Sequence, residues 1–269
     1  MKRNKLAVIG VGNMAKAIIN GILDSELDIS AFILFDVNKE QYSSLSSDRI
    51  VAANSIESAL IEADSVLISV KPQNYSEVLS AVKNVPQYKD KLYISIGAGI
   101  STNSLEDALG DISVVRVLPN VPMLIGKGVS VICRNPKVEY DDFSFVKDVF
   151  SSAGSVMEID ESEMNRIIGV TSSSPAYVFK FIDSIYKGAL EQGLSEDGLI
   201  ESICDMIIGS ATMLKSGKDT PEELISKVAS KGGTTEKALA MLDEYKFSDG
   251  IKEAMKACTA RADELGNHK

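Results

Sequence analysis

The segment Gly10-Val-Gly12-Asn-Met-Ala15 constrains this chain most, because of what lies on either side of it. It follows the apolar run Lys5-Leu-Ala-Val-Ile-Gly10, which reads as a buried parallel strand. It leads into Ala15, Ile18, Ile19 and Ile22, which fall on one face at helical spacing. Gly10 permits a tight turn, Gly12 lets the backbone approach a pyrophosphate, and small Ala15 lets the helix pack close to the strand. The N–H groups of the first helical turn, Asn13 and Met14 among them, then face an anion with the positive end of the helix dipole behind them. GxGxxA alone is weak evidence, but between a strand and a helix it predicts a dinucleotide cradle.

The pattern that starts there repeats. Strands are predicted at Ala31–Asp36, Ser65–Val70, Lys91–Ile96 and Ser113–Leu118. Helices are predicted from about Asn38, at Ser55–Ala63, at Tyr75–Lys83 and at Ser101–Leu109, with Ser101 as an N-cap. Such alternation predicts a parallel sheet with helices on both faces. Near residue 160 the pattern changes. Beyond it only helical segments are predicted, with breaks at Ser172–Pro175, Gly193–Ser195, Gly217–Pro221 and Lys231–Thr235. The chain therefore divides into an α/β domain over 1–160 and an all-α domain over 161–269.

In open α/β sheets, ligands lie beyond the carboxyl ends of the strands. This chain gathers unusual residues there: Val70-Lys71-Pro72, Gly97-Ala98-Gly99, and Asn120 between Pro119 and Val121-Pro122. Small residues admit a flat ring, and prolines fix loop shape. Asp36 ends the second strand, 21 positions after Ala15. It has two readings. A carboxylate there accepts hydrogen bonds from ribose hydroxyls and repels a 2′-phosphate, which favours NADH, with Lys39 partly offsetting the repulsion; alternatively it is a turn or capping residue. Lys71 also has two readings, as a proton donor or as a lysine bound to loop carbonyls or cofactor.

Composition removes other chemistries. Net charge is −10, which disfavours a nucleic-acid partner. No apolar stretch reaches the length of a membrane span, and the N-terminal apolar run is too short for a signal segment, so the expected location is the cytoplasm. Cys133, Cys204 and Cys258 are far apart and form no metal or redox motif. The single histidine is His268, next to the C-terminus, so a histidine acid, a catalytic triad or a histidine-held metal is not expected. No metal site is predicted.

In the second half, Ser174 and Pro175 suit the N-cap and first position of a helix. The segment Ala229-Ser-Lys-Gly-Gly-Thr-Thr235 offers hydroxyls and backbone donors at a helix start, as either a small-carboxylate site or a plain capped turn.

These residues together resemble the pyrroline-5-carboxylate reductase family. The resemblance is carried by Gly10-Val-Gly-Asn-Met-Ala-Lys-Ala17, Val70-Lys-Pro72, Ala98-Gly99, Asn120 with Pro122, Gly169-Val-Thr-Ser-Ser-Ser-Pro-Ala-Tyr177 and Ser230 through Thr235, in the family's order along nearly the whole chain. It implies a Rossmann domain followed by a helical dimerisation domain, with homodimers that in many members form a decamer. It implies reduction of the C=N bond of 1-pyrroline-5-carboxylate to L-proline by NADPH or NADH. It implies that the substrate carboxylate sits on Ser230, Gly232, Gly233, Thr234 and Thr235, with Thr235 reaching the ring nitrogen and Ser230 assisting. Asn54 matches a family position that contacts the cofactor. The chain departs from the family at Lys231, usually proline, at Ser172, usually glycine, and at Ser174, often glycine. Family usage points to NADPH where Asp36 points to NADH.

The chemistry suits a site without histidine. A protonated imine arrives already electrophilic, so the protein supplies orientation and proximity. Two rival readings fit the sequence. One is a reductase of another cyclic imine or a β-hydroxyacid dehydrogenase, for which Lys180 is the nearest lysine to the helix that begins near Pro175. The other is a cofactor-binding oligomer with a decayed substrate site, which only Lys231 encourages.

Overall fold

The structure is a computed structural model that describes residues 3–43 and 45–267. His268 lies outside the described residues. Eight strands form one sheet in the order β3-β2-β1-β4-β5-β6-β7-β8. They are β1 (Lys5–Ile9), β2 (Ala31–Phe35), β3 (Ile50–Ala52), β4 (Ser65–Ile68), β5 (Leu92–Ser95), β6 (Ser113–Leu118), β7 (Gly128–Arg134) and β8 (Gly154–Glu158). All neighbours pair in parallel except β6 with β7.

The apolar runs are continuous because the sheet is covered on both faces. Leu6 and Val8 of β1 point to one side, where α1 (Asn13–Leu23) and α5 (Tyr140–Ser151) cover them. Ala7 and Ile9 point to the other side, under α2 (Ile56–Ile61), α3 (Tyr75–Val82) and α4 (Thr102–Leu109). Side chains alternate with period two along a strand, so one five-residue strand feeds both cores.

Four features depart from the sequence expectation. The helix expected from Asn38 is only a 3₁₀ turn at Lys39–Tyr42, capped by the Asn38 side chain on the Glu40 N–H. The residues that follow include Ser46, Ser47 and Asp48, which favour turns over helix interiors. The sheet gains β3 beside β2, and it continues past β6 into β7 and β8. Ser174 is not an N-cap. Helix α6 (Met164–Ile167) passes through a π turn at Ile168–Ser172, Ser173 caps that turn with right-handed backbone angles, and α7 (Ser174–Glu191) follows directly. The fourth concerns the division of the chain: one compact unit is Met1–Ser173 with Met255–Lys269, and the other is Ser174–Ala254. The chain thus leaves the first unit after the π turn and returns to it within the last helix.

The second unit holds α7, α8 (Leu199–Lys215), α9 (Pro221–Val228) and α10 (Thr234–Glu244). The final helix, α11 (Phe247–Asn267), contributes residues to both units. No described helix is long and apolar enough to cross a membrane.

Candidate functional site

The turn between β1 and α1 is built as the motif requires. Gly10 has φ +88, and a Cβ there would lie 2.8 Å from the Ser69 carbonyl oxygen and from Val70 Cγ1. Only glycine satisfies both the backbone angle and the packing against the chain leaving β4. Gly12 is different: a Cβ there would meet nothing within 4 Å. Ala15 is fully buried where α1 crosses the sheet. Helix α1 has no acidic residue in its first turn and no side-chain cap. Its first N–H groups, including those of Asn13 and Met14, have no acceptor within the helix. The bare backbone at Gly12 and the uncapped helix pole fit a dinucleotide pyrophosphate.

Asp36 is tied to this turn. Its Oδ2 accepts from the Val11 N–H at 2.7 Å, and its Oδ1 accepts from the Asn38 N–H at 2.9 Å. The Tyr42 hydroxyl accepts from the Asp36 N–H and donates to the Asp36 carbonyl. Both carboxylate oxygens of Asp36 thus accept from backbone N–H groups, which is the turn-shaping one of its two expected roles. Lys39 Nζ donates to Asn54 Oδ1 at 3.3 Å, and both residues are exposed. This brings Asp36, Lys39 and Asn54 to the strand ends beside the glycine turn.

The next strand ends complete the edge. Lys71 is exposed just before Pro72, which starts a 3₁₀ turn. Gly97 and Gly99 are small for a reason the sequence did not suggest. A Cβ on Gly97 would lie 2.7 Å from the ring of Tyr75. A Cβ on Gly99, whose φ is +79, would lie 2.6 Å from the Ala262 carbonyl oxygen of α11. The room expected at Gly99 for a flat ring is taken by the chain's own last helix, while Ala98 between the two glycines is partly exposed.

Asn120 is buried, and both ends of its side-chain amide are occupied. Nδ2 donates to the Thr171 carbonyl at 3.0 Å, and Oδ1 accepts from the Val129 N–H at 2.8 Å. The reason lies in Pro175. It has no N–H to offer the carbonyl four residues back, that of Thr171, so the helix relaxes into a π turn, with the Ser173 N–H donating to Ile168 O at 2.9 Å. Asn120 supplies the missing donor. Its side chain holds the end of β6 to the π turn, and its carbonyl accepts from the Met123 N–H at 3.1 Å.

A polar network that the sequence did not reveal anchors α11 in the first unit. Arg116 of β6 is buried and donates to Glu161 Oε1 and Asn165 Oδ1, both at 2.6 Å. Asn165 Nδ2 donates in turn to Asp263 Oδ1 at 2.7 Å. The Cys133 thiol donates to the other Glu161 oxygen at 3.0 Å. Burial, reinforced by that carboxylate, pushes the thiol well above its usual range. No spacing in the sequence joins these residues, since 147 positions separate Arg116 from Asp263.

In the second unit, Ser230-Lys-Gly-Gly233 is a β-turn. The Gly233 N–H donates to the Ser230 carbonyl at 2.9 Å, and Gly232 has φ +76. A positive φ at the third position with an unconstrained second position is the type II pattern, for which proline is favoured at the second. Lys231 occupies that second position, where the family usually has proline. It keeps the turn and loses only proline's preorganisation. A Cβ on Gly233 would lie 2.7 Å from Ser230 Oγ. Helix α10 starts at Thr234, and the Gly232 N–H donates to Glu236 Oε2 at 2.7 Å. Thr234 is exposed and Thr235 half-buried. Lys180 is exposed on α7 of the same unit.

Comparison with known proteins bears on the whole chain. Residues 161–265 match the family model for pyrroline-5-carboxylate reductase dimerisation. Residues 5–99 match the model for NADP oxidoreductase, coenzyme F420-dependent. The chain is 35% identical over 269 residues to the pyrroline-5-carboxylate reductase of Haemophilus influenzae, covering 98% of each. It is 32% identical over 264 residues to that of Escherichia coli, covering 97% of this chain and 98% of the relative. Among solved structures, it is similar to the Plasmodium falciparum pyrroline carboxylate reductase with NADP bound, with a TM-score of 0.89 and 28% identity over 99% of this chain and 100% of that one.

Proposed function

This chain belongs to the pyrroline-5-carboxylate reductase family, and on that premise we propose how its own residues carry the reaction. It is an NAD(P)H-dependent oxidoreductase that reduces the C=N bond of 1-pyrroline-5-carboxylate to give L-proline. A reduced nicotinamide supplies the hydride when bound. The protein's part is to hold two reactants in register, and the observation that carries this reading is the bare backbone at Gly12 on the uncapped N-terminus of α1.

The N–H groups of Asn13 and Met14 hold the pyrophosphate, with Gly10 and Ala15 fixing the turn. Val70, Lys71, Pro72 and Ala98 line the strand ends toward the nicotinamide, with Gly99 fixing the loop they share. The hydroxyl of Ser230 and the N–H groups of Gly232, Thr234 and Thr235 hold the substrate carboxylate, with Gly233 closing the turn that presents them. Thr235 Oγ1 hydrogen-bonds the ring nitrogen and orients the C=N carbon. Thr235→Ala lowers turnover at least tenfold while the KM for cofactor changes little. Unchanged turnover in that variant removes Thr235 from the site.

Asp36 and Lys39 divide the choice of cofactor. Asp36 accepts from ribose hydroxyls, while Lys39 with Asn54 suits a 2′-phosphate, so both NADH and NADPH are oxidised. Lys39→Ala lowers kcat/KM for NADPH by about tenfold more than for NADH, and Asp36→Asn shifts the ratio toward NADPH. Parallel rates with each cofactor, followed by absorbance loss, measure both shifts. Equal effects on the two cofactors overturn the assignment.

The second unit pairs with its counterpart in a homodimer, and dimers assemble further into a decamer. Scattering mass at two or ten times the 28.9 kDa of one chain distinguishes the two assemblies. The enzyme acts in the cytoplasm.

A further inference from the structure

We propose that Glu236 sets how tightly the Ser230–Thr235 loop takes the carboxylate of its substrate, because the Glu236 carboxylate competes for the same backbone donor. The inference rests on the reading that this loop holds the substrate's carboxylate.

The donors of the loop can be followed one by one. The Gly233 N–H is spent inside the turn on the Ser230 carbonyl, at 2.9 Å. Those of Thr234 and Thr235 open α10 and have no acceptor within the helix. The Gly232 N–H is held by Glu236 Oε2 at 2.7 Å. That contact has the same chemistry as the one the substrate would make: a carboxylate oxygen on a backbone N–H, short and charge-assisted. A second carboxylate arriving at this loop meets a donor already in use and a like charge beside it.

Geometry allows the exchange. Glu236 is exposed, and the contact runs from the first turn of α10 back past Gly233 to the turn itself. It is not buried in a core that would have to open. Lys231, next to Gly232 and also exposed, brings a positive charge to the same loop. It offsets part of the repulsion when two carboxylates are present.

A simple cap would make the opposite prediction. If Glu236 only braced the turn, as a first-turn glutamate commonly does, its removal would loosen the loop and raise the KM for pyrroline-5-carboxylate. Competition predicts that removal lowers it.

The experiment compares Glu236→Ala and Glu236→Gln with the parent enzyme at saturating cofactor. It measures KM for pyrroline-5-carboxylate and the inhibition constant of L-proline, whose carboxylate occupies the same place. In Glu236→Ala both constants fall by about three- to tenfold with kcat nearly constant, a size suited to one exposed charge-assisted contact. Glu236→Gln keeps an acceptor for the Gly232 N–H, and with it the shape of the turn, but loses the charge. Both constants fall in it as well, by less. Constants that stay level or rise in both variants overturn the proposal. Ser230→Ala and Thr235→Ala serve as controls. If they raise KM or lower turnover while the Glu236 variants behave as the parent, competition fails and the loop stands. If all four behave as the parent, the loop is not the substrate site and the proposal falls with it.

Discussion

Gly12 and Gly99 show how one residue type serves opposite needs. Gly12 leaves open space where a side chain would stand, as a ligand cradle requires. Gly99 has no space at all, because α11 presses its backbone onto it. Tyr75, packed under Gly97, adds a titratable element to the same edge. Its hydroxyl donates to the Ile68 carbonyl at 3.1 Å and shares a hydrogen bond with Ser95 Oγ at 2.9 Å. Burial raises its pKa from 10.0 to about 12. The folded form therefore keeps its proton where the unfolded chain has lost it. Stability from this group is complete below pH 10 and drains away as pH rises toward 12, by on the order of 2–3 kcal/mol. Denaturant unfolding at pH 8 and pH 11 measures the loss, to which Tyr93, also raised by burial, adds. Tyr75→Phe is about 1 kcal/mol less stable at pH 8 but loses less on going to pH 11. An identical alkaline loss in the variant assigns the effect elsewhere.

At the scale of elements, the π turn at Ile168–Ser172 organises the junction between β6, β7 and the helices that follow. Pro175 frees the Thr171 carbonyl, and Asn120 answers it while also accepting from Val129 of β7. Asn120→Ala strands a carbonyl and an N–H in a place little reached by water, so the expected cost is about 2–4 kcal/mol. Urea unfolding of the variant checks it, and a loss below about 0.5 kcal/mol shows that water replaces the amide. The sequence pattern predicts the run of parallel strands because each is a short apolar block. It does not predict β7 pairing antiparallel to β6, because strand direction depends on the path of the connection. Here Val121–Ile125 makes a tight 3₁₀ turn that sends the chain straight back.

At the scale of the whole molecule, the two units differ in how they bury their apolar residues. The first has a core on each face of the sheet and a smaller buried cluster of Leu118, Val131, Met164, Ile168 and Ala262. Within 174–254 the only described apolar side chain that is buried is Ile203. Phe179, Met206, Ile208, Met213, Ile225 and Val228 are all exposed there. Helices whose apolar stripes meet no core within their own chain are stabilised only by packing against another surface. A charged residue placed on that surface should therefore act on assembly and stability together. Ile208→Asp shifts sedimentation toward the 28.9 kDa monomer and lowers the melting temperature. A variant with the parent's sedimentation and melting point places Ile208 outside the contact.

What the sequence by itself determined is local and periodic: the strand–turn–helix at Gly10–Ala15, the alternation of strands and helices up to Leu118, and the change to helices alone near residue 160. Each depends on residues close together in the chain, where spacing and turn chemistry act directly. The small-residue loop opening a helix at Ser230–Thr235 was legible for the same reason, and the structure adds the turn that Gly232 shapes. Only the tertiary structure decided which partners those residues meet. It placed Asp36 on the Val11 N–H, set α11 against Gly99, gave Asn120 to the π turn, and joined Arg116 to Asp263 through Asn165. These contacts link positions 25 to 167 apart in the chain. Whether two such residues meet depends on how helices cross and strands order themselves, and no local spacing encodes that.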